Sequence, residues 1–521
     1  MTPPQVPGSP APLPGLLTAL PASSATDEPQ GRVPHPLRLF PPEPGLREVA
    51  FDLYRHVSQL PLISPHGHVD AQVLAKDEPY PDPIALLVRP DHYVLRLLHA
   101  QGIDMTELGL LDKRTAATGP AATRPVASGS AVPGSAARVA EPREVWRVLC
   151  RYWSVFRGTV MRLWLEDELA SLFGIDYPLS EGRADESYDQ ISAQLTTPEM
   201  RPRELYRRFG LEVLATTDSP LDDLSAHRAL RDDPTWQGTV VPTFRPDALI
   251  DPARTSSWAQ LLDRLAQISG SDTGTYRGYI SALEARRAAF KELGATATDH
   301  GNDTVDAFEL SEWEAARLYD RLRLGPYDAG DQGAFRAHML MEMARMSADD
   351  GLVMQLHPGV WRDHDTAAFT RFGHDTGADF PVATNYTAAL VRLLGRFGSH
   401  PTFRAVAFTV DETTFSRELA PMASYYPGLW LGAPWWFLDA PDTMNRFWAA
   451  ITETAGFSKS AGFVDDTRAY CSIPARHDLA RRAHCSFLAR LVGEHRLNHE
   501  DALALAGDFA YRLPKLAFRL A

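Results

Sequence analysis

Cysteine is scarce in this chain of 521 residues, which contains Cys150, Cys471 and Cys485 and no others. Three scattered cysteines provide neither a disulfide framework nor a CxxC motif of the kind that binds zinc. Uninterrupted apolar runs are short, and none could span a membrane. The first residues, MTPPQVPGSPAPLPG, lack the basic start and apolar core of a signal peptide. We therefore expect a protein of a reducing, cytoplasmic setting.

Basic residues are outnumbered, since 52 Lys and Arg face 66 Asp and Glu, for a formal net charge of −14. This sign disfavours general binding to nucleic acid or to membrane surfaces, although a local group of arginines can still hold a small anion. The composition, with 44% hydrophobic and 23% charged residues, is that of a globular protein with a large core. The length suits a large α/β barrel with insertions.

Two segments are rich in Pro, Ser, Gly and Ala, namely residues 1–45 and the stretch TAATGPAATRPVASGSAVPGSAARVAEP at 115–142. Such a composition buries too little apolar surface to offset the entropy lost when a chain becomes ordered. We predict a disordered tail over 1–45 and a flexible surface loop over 115–142. The remaining residues, 46–521, are predicted to form one domain.

Helical spacing of apolar residues marks most of 70–210, which we predict to be a mainly helical insertion. Elsewhere, eight short apolar runs alternate with long helical patterns. The runs are PLISPHGH (61–68), EVLATTDSP (212–220), TVVPTFRPD (239–247), GATATDHG (294–301), LVMQLHPG (352–359), RAVAFTVDE (404–412), GLWLGAPWW (428–436) and AGFVDDTR (461–468). Eight strands alternating with helices predict an α/β fold, a (β/α)8 TIM-like barrel with the insertion after strand 1.

Polar side chains follow most of these predicted strands. The first strand ends in His66 and His68, which point to the same side because residues i and i+2 of an extended segment do so. The fifth ends in His357, and the eighth in Asp466 and Arg468. The other polar strand ends are Asp218, Arg245, Asp299 and His300. Active sites of barrels form at the carboxyl ends of strands, so the histidine pair is a candidate for metal binding, although chance proximity of two loop histidines gives the same spacing.

Several motifs together resemble those of the uronate isomerases, a branch of the amidohydrolase superfamily. They are DHY (91–93), FRGT and LWLE (within 156–166), TTDSPLDDL (216–224), PTFRPD (242–247), QLHPGVWR (355–362), DTGAD (375–379), PWWF (434–437) and DDTRAY (465–470). The superfamily carries His-x-His after strand one and Asp after strand eight, which correspond to His66, His68 and Asp466. The last motif has Asp465 where the family has Thr, and we match Asp466 because Arg468 keeps its spacing.

The resemblance implies that an aldehyde sugar acid is interconverted with its keto isomer: D-glucuronate with D-fructuronate, or D-galacturonate with D-tagaturonate. This chemistry needs a base at C2, and Asp466 is the candidate, with a pKa that we expect burial to raise. Tyr93 would move a proton between the C1 and C2 oxygens, and Arg468 would stabilise the enediolate. The candidates for substrate binding are Arg245, His357, Arg362 and Trp435.

The resemblance also implies at most one metal ion, because no lysine ends strand four, where many two-metal relatives carry one. The expected ligands are His66, His68 and Asp466, and zinc suits imidazole ligands. For Asp466, the roles of ligand and base compete. An isomerase has no hydrolytic step that needs the ion, so we expect catalysis to depend on metal less steeply than in a hydrolase.

Two alternatives remain open at this point. A metal-dependent hydrolase or decarboxylase on the same barrel would need His66, His68 and Asp466 around an ion that activates water. A non-catalytic sugar-acid binding protein would need no base. The joint presence of Asp466, Tyr93 and Arg468 favours the isomerase, whose partner would be a small sugar acid. Either uronate, and assembly into a homo-oligomer, would be compatible with the sequence.

Overall fold

The computed structural model describes residues 33–113, 140–255 and 257–521. The strands are β1 Leu62–Ser64, β2 Leu211–Ala215, β3 Thr239–Val241, β4 Ala297–His300, β5 Val353–Leu356, β6 Val360–Trp361, β7 Phe380–Pro381, β8 Ala405–Ala407 and β9 Leu429–Leu431. The α-helices are Pro44–Val57, Ala71–Lys76, Pro83–Leu87, His92–His99, Pro142–Arg151, Val160–Phe173, Ala184–Leu195, Pro202–Arg208, Ser225–Asp232, Asp247–Ile250, Trp258–Ser269, Tyr276–Glu292, Glu312–Leu324, Ala329–Asp350, Thr366–Phe372, Tyr386–Phe397, Ala420–Tyr425, Pro441–Ala455, Ser472–Gly493, His499–Gly507 and Leu513–Phe518.

Parallel strands form the wall of the barrel in the order of the chain. One ladder joins β1, β2 and β3, and another joins β4, β5, β8 and β9, all in parallel. Single parallel bridges add to these ladders. Asp218–Phe244 extends the pairing of β2 and β3, Phe244–Thr298 joins the two ladders, and Leu431–Ser460 links β9 to the eighth segment. The eighth segment then meets the first, because His68 N donates a hydrogen bond to Thr467 O at 2.8 Å. The prediction of a (β/α)8 TIM-like barrel is confirmed.

The eighth predicted strand differs from the other seven. The described stretch 461–468 contains no regular strand. Its pairing with β9 is limited to a single bridge at the preceding residue, Ser460. Gly462 and Asp466 have φ angles of 70° and 38°, which are incompatible with extended backbone. An apolar run alone could not reveal these turns. The short antiparallel pair of β6 and β7, also absent from the prediction, lies between the fifth and sixth barrel strands.

Between β1 and β2, the elements that the structure describes are all helices, joined by turns and irregular segments. Their apolar side chains form a core of their own, with Trp146, Phe156 and Trp164 fully buried. The helix Ser472–Gly493 packs against this core and against the first helix of the chain, so it joins the insertion to the barrel. Among the described residues, no helix is long and apolar enough to cross a membrane.

Part of the predicted disordered tail is ordered. Residues 33–45 pack on the protein: Phe40 is buried, and Arg38 forms ion pairs with Asp167 at 2.9 Å and Asp478 at 2.5 Å. Composition could not reveal these partners, which lie far away in sequence. Residues 1–32, and nearly all of the predicted loop 115–142, fall outside the described residues.

Asp478 should be important for stability, because its buried carboxylate accepts hydrogen bonds from Tyr54, Arg38 and Arg482. Asp478→Asn removes the negative charge and leaves two arginines in a buried site. We expect the free energy of unfolding, measured by denaturant titration, to fall by about 3 kcal/mol or more. The exposed pair of Arg277 and Glu312 provides the control, and Glu312→Gln should change stability by less than about 0.5 kcal/mol. Equal effects of both variants would contradict this role.

Candidate active site

Two imidazoles and one carboxylate converge at the carboxyl end of β1. Nε2 of His66 and Nε2 of His68 lie 3.4 Å and 3.1 Å from the same oxygen, Oδ1 of Asp466. The two rings are 5.2 Å apart, on the same side of the chain, as the i, i+2 spacing predicts. Asp466 comes from the other end of the sequence, and the contact between the eighth segment and the first brings it here.

The histidines, rather than burial, determine the charge of Asp466. Burial alone would raise the pKa of this carboxyl, but His66 and His68 beside it hold that pKa well below its usual value. Burial would lower the pKa of His66, yet the charge of Asp466 leaves it raised, whereas burial lowers the pKa of His68 to about 4. The pKa of Asp466 is therefore lowered, not raised as expected. Asp466 is ionised at neutral pH, and of the two histidines His66 holds a proton more readily.

A second buried group adjoins the first. Nδ1 of His357 lies 2.7 Å from Oδ1 of Asp299, and the His357 ring stacks on that of His66 at 4.6 Å. Arg245 contacts Asp299 at 3.1 Å and Asp247 at 2.9 Å. Its guanidinium is thus neutralised by two buried carboxylates, which suits a positioning role better than the predicted contact with substrate. The sequence marks Asp299 only as a strand end, because its pairing with both neighbours depends on segments that are distant in the chain.

A cavity opens next to these groups. Its lining includes His68, Tyr93, Arg362, Asp375, Trp435, Trp436, Asp466, Arg468 and Arg476. Nη1 of Arg468 donates to Oδ2 of Asp375 at 2.6 Å. Arg362 lies over the Trp436 ring at 4.6 Å, and no carboxylate among the described residues forms an ion pair with it. Burial lowers the pKa of Arg362 to about 10, so this side chain remains a cation at neutral pH; Asp379 and Asp247 attract it from a distance but form no ion pair with it.

Tyr93 enters the cavity from the helical insertion. It lies in the first turn of the helix His92–His99, where the carboxylate of Asp91 caps the helix by accepting from Tyr93 N at 2.9 Å. Burial raises the pKa of Tyr93 well above its usual value, so the phenol is protonated at neutral pH. Trp435 lies edge-on to His357 at 4.7 Å, and its indole nitrogen is buried without a hydrogen-bond partner among the described residues.

Other polar residues at the strand ends have local partners. Asp218 and His300 each hydrogen-bond the threonine two residues earlier in the chain, at 2.6 Å and 3.0 Å, and neither lines the cavity. Asp465, the acidic residue that departs from the family motif, is fully buried and accepts from Ser64 at 2.9 Å. It therefore helps to join the eighth segment to β1, while Asp466 faces the histidines.

The donor atoms suit a divalent metal ion. One ligand atom from each of His66, His68 and Asp466 lies within 4.8 Å of the others, and so does one from each of His66, Asp299 and His357. Imidazole and carboxylate together are common ligands of zinc. Nδ1 of His66 and Nε2 of His357 are also buried without partners among the described residues. The residues present thus fit a metal ion.

The chain matches known proteins along most of its length. The family model described as glucuronate isomerase matches residues 132–518. A uronate isomerase of Rhizorhabdus wittichii is 49% identical, over 93% of this chain and 98% of that protein. A uronate isomerase of Rhizobium meliloti is also 49% identical, over 92% of this chain and 98% of that protein.

Solved structures show the same relationship. The chain is similar to the crystal structure of glucuronate isomerase from Caulobacter crescentus, with a TM-score of 0.87, 44% identity, and coverage of 93% of this chain and 97% of that one. For uronate isomerase from Thermotoga maritima the TM-score is 0.81 at 26% identity, with coverage of 90% and 97%. Both alignments cover at least 90% of this chain.

Replacing His66 and His68 together by alanine should reduce bound divalent metal to near zero, because two of the three converging ligands are lost. Elemental analysis of the purified protein measures this. The exposed His374 provides the control, and His374→Ala should retain metal at the level of the unchanged protein. Unchanged metal content in the double variant would show that other residues bind the ion.

In the unchanged protein, the bound metal should be lost as pH falls through the raised pKa of His66, because the proton competes with the metal.

Proposed function

The chain belongs to the glucuronate isomerase family, and we propose that it interconverts an aldehyde sugar acid and its keto isomer. The substrates are D-glucuronate, which gives D-fructuronate, or D-galacturonate, which gives D-tagaturonate. One observation carries this proposal: a single cavity presents a carboxylate, a protonated phenol and two arginines together, namely Asp466, Tyr93, Arg468 and Arg362. These are the groups that proton transfer through an enediolate requires.

We assign the proton transfer between C2 and C1 to Asp466. Both histidines contact Oδ1, which leaves Oδ2 for the substrate. The carboxylate is ionised and can accept a proton, and it becomes a stronger base when His66 is neutral and no longer depresses its pKa. Because the base would return the proton to C1 on the same face of a planar enediolate, one carboxylate is sufficient for the transfer between the carbons.

The other proton moves between the two oxygens. We assign this step to Tyr93, because a protonated phenol can donate to one oxygen while it accepts from the other. Arg468 faces the cavity, and its Nε is buried without a partner among the described residues, so it is available to the enediolate oxygen. A positive charge already in place there stabilises the negative charge that develops in the transition state.

Arg362 is our candidate for the substrate carboxylate. It is a partly buried cation that forms no ion pair with a carboxylate among the described residues, and an anionic substrate would supply that partner. The buried nitrogens of His357 and Trp435 are suited to orient hydroxyl groups. Arg245 contributes indirectly, because it holds Asp299, which in turn holds His357.

For the cofactor, we propose one divalent ion, zinc by the preference of imidazole, bound by His66, His68 and Asp466. The ion would supply positive charge to a substrate oxygen. Removing it with a chelator should weaken substrate binding but leave some turnover, since no water needs activation. Complete loss of turnover that zinc restores would assign the ion to the chemical step.

We also propose a cytoplasmic setting, in keeping with three buried, free cysteines.

The activity is tested by incubating the purified protein with D-glucuronate and, separately, with D-galacturonate, and by following the products by NMR. D-Glucose, which lacks the carboxylate, is the matched control. We expect a ketouronate from at least one uronate and no isomerisation of glucose at comparable concentration. Release of carbon dioxide or of a hydrolysis product would instead support the hydrolase or decarboxylase alternative.

Asp466→Asn should preserve the fold and lower isomerisation by about 100-fold or more, because the amide keeps the shape of the base but cannot accept the proton. Exchange of the C2 proton with deuterated solvent should disappear at the same time. Asp465→Asn is the neighbouring control, since this carboxyl faces Ser64 and should affect stability more than the exchange reaction. Turnover of Asp466→Asn near that of the unchanged protein would remove Asp466 from the mechanism.

A further inference from the structure

Arg476 is a buried arginine in the cavity wall to which the steps above give no role. It lies in the helix Ser472–Gly493 and is 2% exposed. Its Nη1 donates to Oδ2 of Asp439 at 2.8 Å and to the carbonyl of Asp465 at 3.3 Å, and its Nε donates to Ser472 Oγ at 3.1 Å. Several bonds from one planar guanidinium fix both its position and its orientation.

One of these bonds anchors the guanidinium to the backbone that carries the base. Asp466 has a φ of 38°, in the left-handed region that is unfavourable for residues other than glycine, so its neighbours must hold it there. The carbonyl of Asp465 accepts from Arg476, and the carbonyl of Thr467 accepts from His68 N at 2.8 Å. The position of Arg476 is therefore defined relative to Asp466.

The same guanidinium also lies against aromatic side chains of the insertion. Its carbon lies 3.8 Å from the centre of the Trp164 ring and 5.7 Å from that of Tyr93. Trp164 in turn contacts Tyr93 edge to face at 6.0 Å. The charge of Arg476 also attracts Asp91, which caps the helix His92–His99 that carries Tyr93. Burial raises the pKa of Tyr93, and the charge of Arg476 opposes that rise.

We propose that Arg476 is a positioning residue that fixes the phenol of Tyr93 relative to the base Asp466. This inference rests on the proposed roles of those two residues. Arg476 itself moves no proton. The loss of its stacking surface would let Tyr93 shift relative to the C1 and C2 oxygens, and a displacement of about 1 Å can cost on the order of 100-fold in rate. Its effect should therefore appear in kcat more than in KM.

A double-mutant cycle with Arg476→Met and Tyr93→Phe tests this. We expect Arg476→Met to lower kcat for isomerisation by about 10- to 100-fold, with KM changed by less than about threefold. In the Tyr93→Phe background the same substitution should cost less than about threefold, because the group that it positions is already absent. Exchange of the C2 proton, which needs Asp466 but not the phenol, should decline less than net isomerisation.

The outcomes separate the two ideas. If Tyr93→Phe alone leaves kcat unchanged, the proposed role of Tyr93 fails. If Tyr93→Phe lowers kcat but Arg476→Met has the same effect in both backgrounds, the inference about Arg476 fails.

Two further variants provide controls. Arg481 is a buried arginine of the same helix. Its guanidinium donates to the carbonyls of Ser58, Leu60 and Pro61, which lie before β1 and outside the helical insertion that carries Tyr93. Arg481→Met should show no coupling to Tyr93→Phe. If Arg476→Met does not fold, Arg476→Lys serves in the cycle, since it keeps the charge but loses the planar stacking surface. Additivity of Arg476→Lys with Tyr93→Phe would then overturn the proposal.

Discussion

The hydrogen bond from His68 N to Thr467 O is the contact on which the site depends. It joins the last segment of the barrel to the first, over about 400 residues of chain. Because His68 is bonded to Thr467, the neighbouring Asp466 lies beside the histidine pair, and both imidazoles contact one of its carboxylate oxygens. Gly67 favours this close approach, because a Cβ there would be crowded at 3.3 Å from the Thr467 carbonyl oxygen. The regular ladders elsewhere hold the two ends of the barrel in place for this contact.

Buried charges around the cavity are nearly all paired, and the exceptions indicate where the substrate binds. Arg245 is held by Asp247 and Asp299, and Arg476 by Asp439, whose pKa burial raises to about 7. Arg362 alone among these arginines has no carboxylate partner within the described residues. A cavity that holds a cation without an ion-pair partner favours the binding of an anion, and a sugar acid provides one. The acidic net charge of the whole chain gave no hint of this local arrangement.

Much of this could be predicted from the sequence, because it depends on local patterns. Apolar runs indicated seven of the eight barrel strands and the position of the eighth segment, which is not a regular strand, and the polar residues that follow them indicated where His66 and Asp466 would meet. The resemblance to the uronate isomerases is confirmed by the match to the family. The assigned roles of Asp466, Tyr93 and Arg468 remain predictions for experiment.

What the sequence could not provide depends on contacts between distant segments. The network of Asp299, His357 and Arg245 follows from strand register, and the pKa of Asp466 follows from the proximity of two histidines. Arg476 lies within a helical pattern, and no motif distinguishes it from other arginines there. The ordered residues 33–45 depend on partners more than 100 residues away.

The central claim is that a protein base moves the C2 proton through an enediolate in this cavity. The most direct measurement follows D-glucuronate, or D-galacturonate if that is the accepted substrate, in deuterated water by NMR. The account predicts that solvent deuterium enters C1 of the ketouronate during turnover, because the proton on the base exchanges with solvent in part of the reaction cycles. A product that keeps the original hydrogen completely, with no solvent deuterium after many turnovers, is the result expected of direct hydride transfer and would contradict the account of a base that exchanges its proton with solvent.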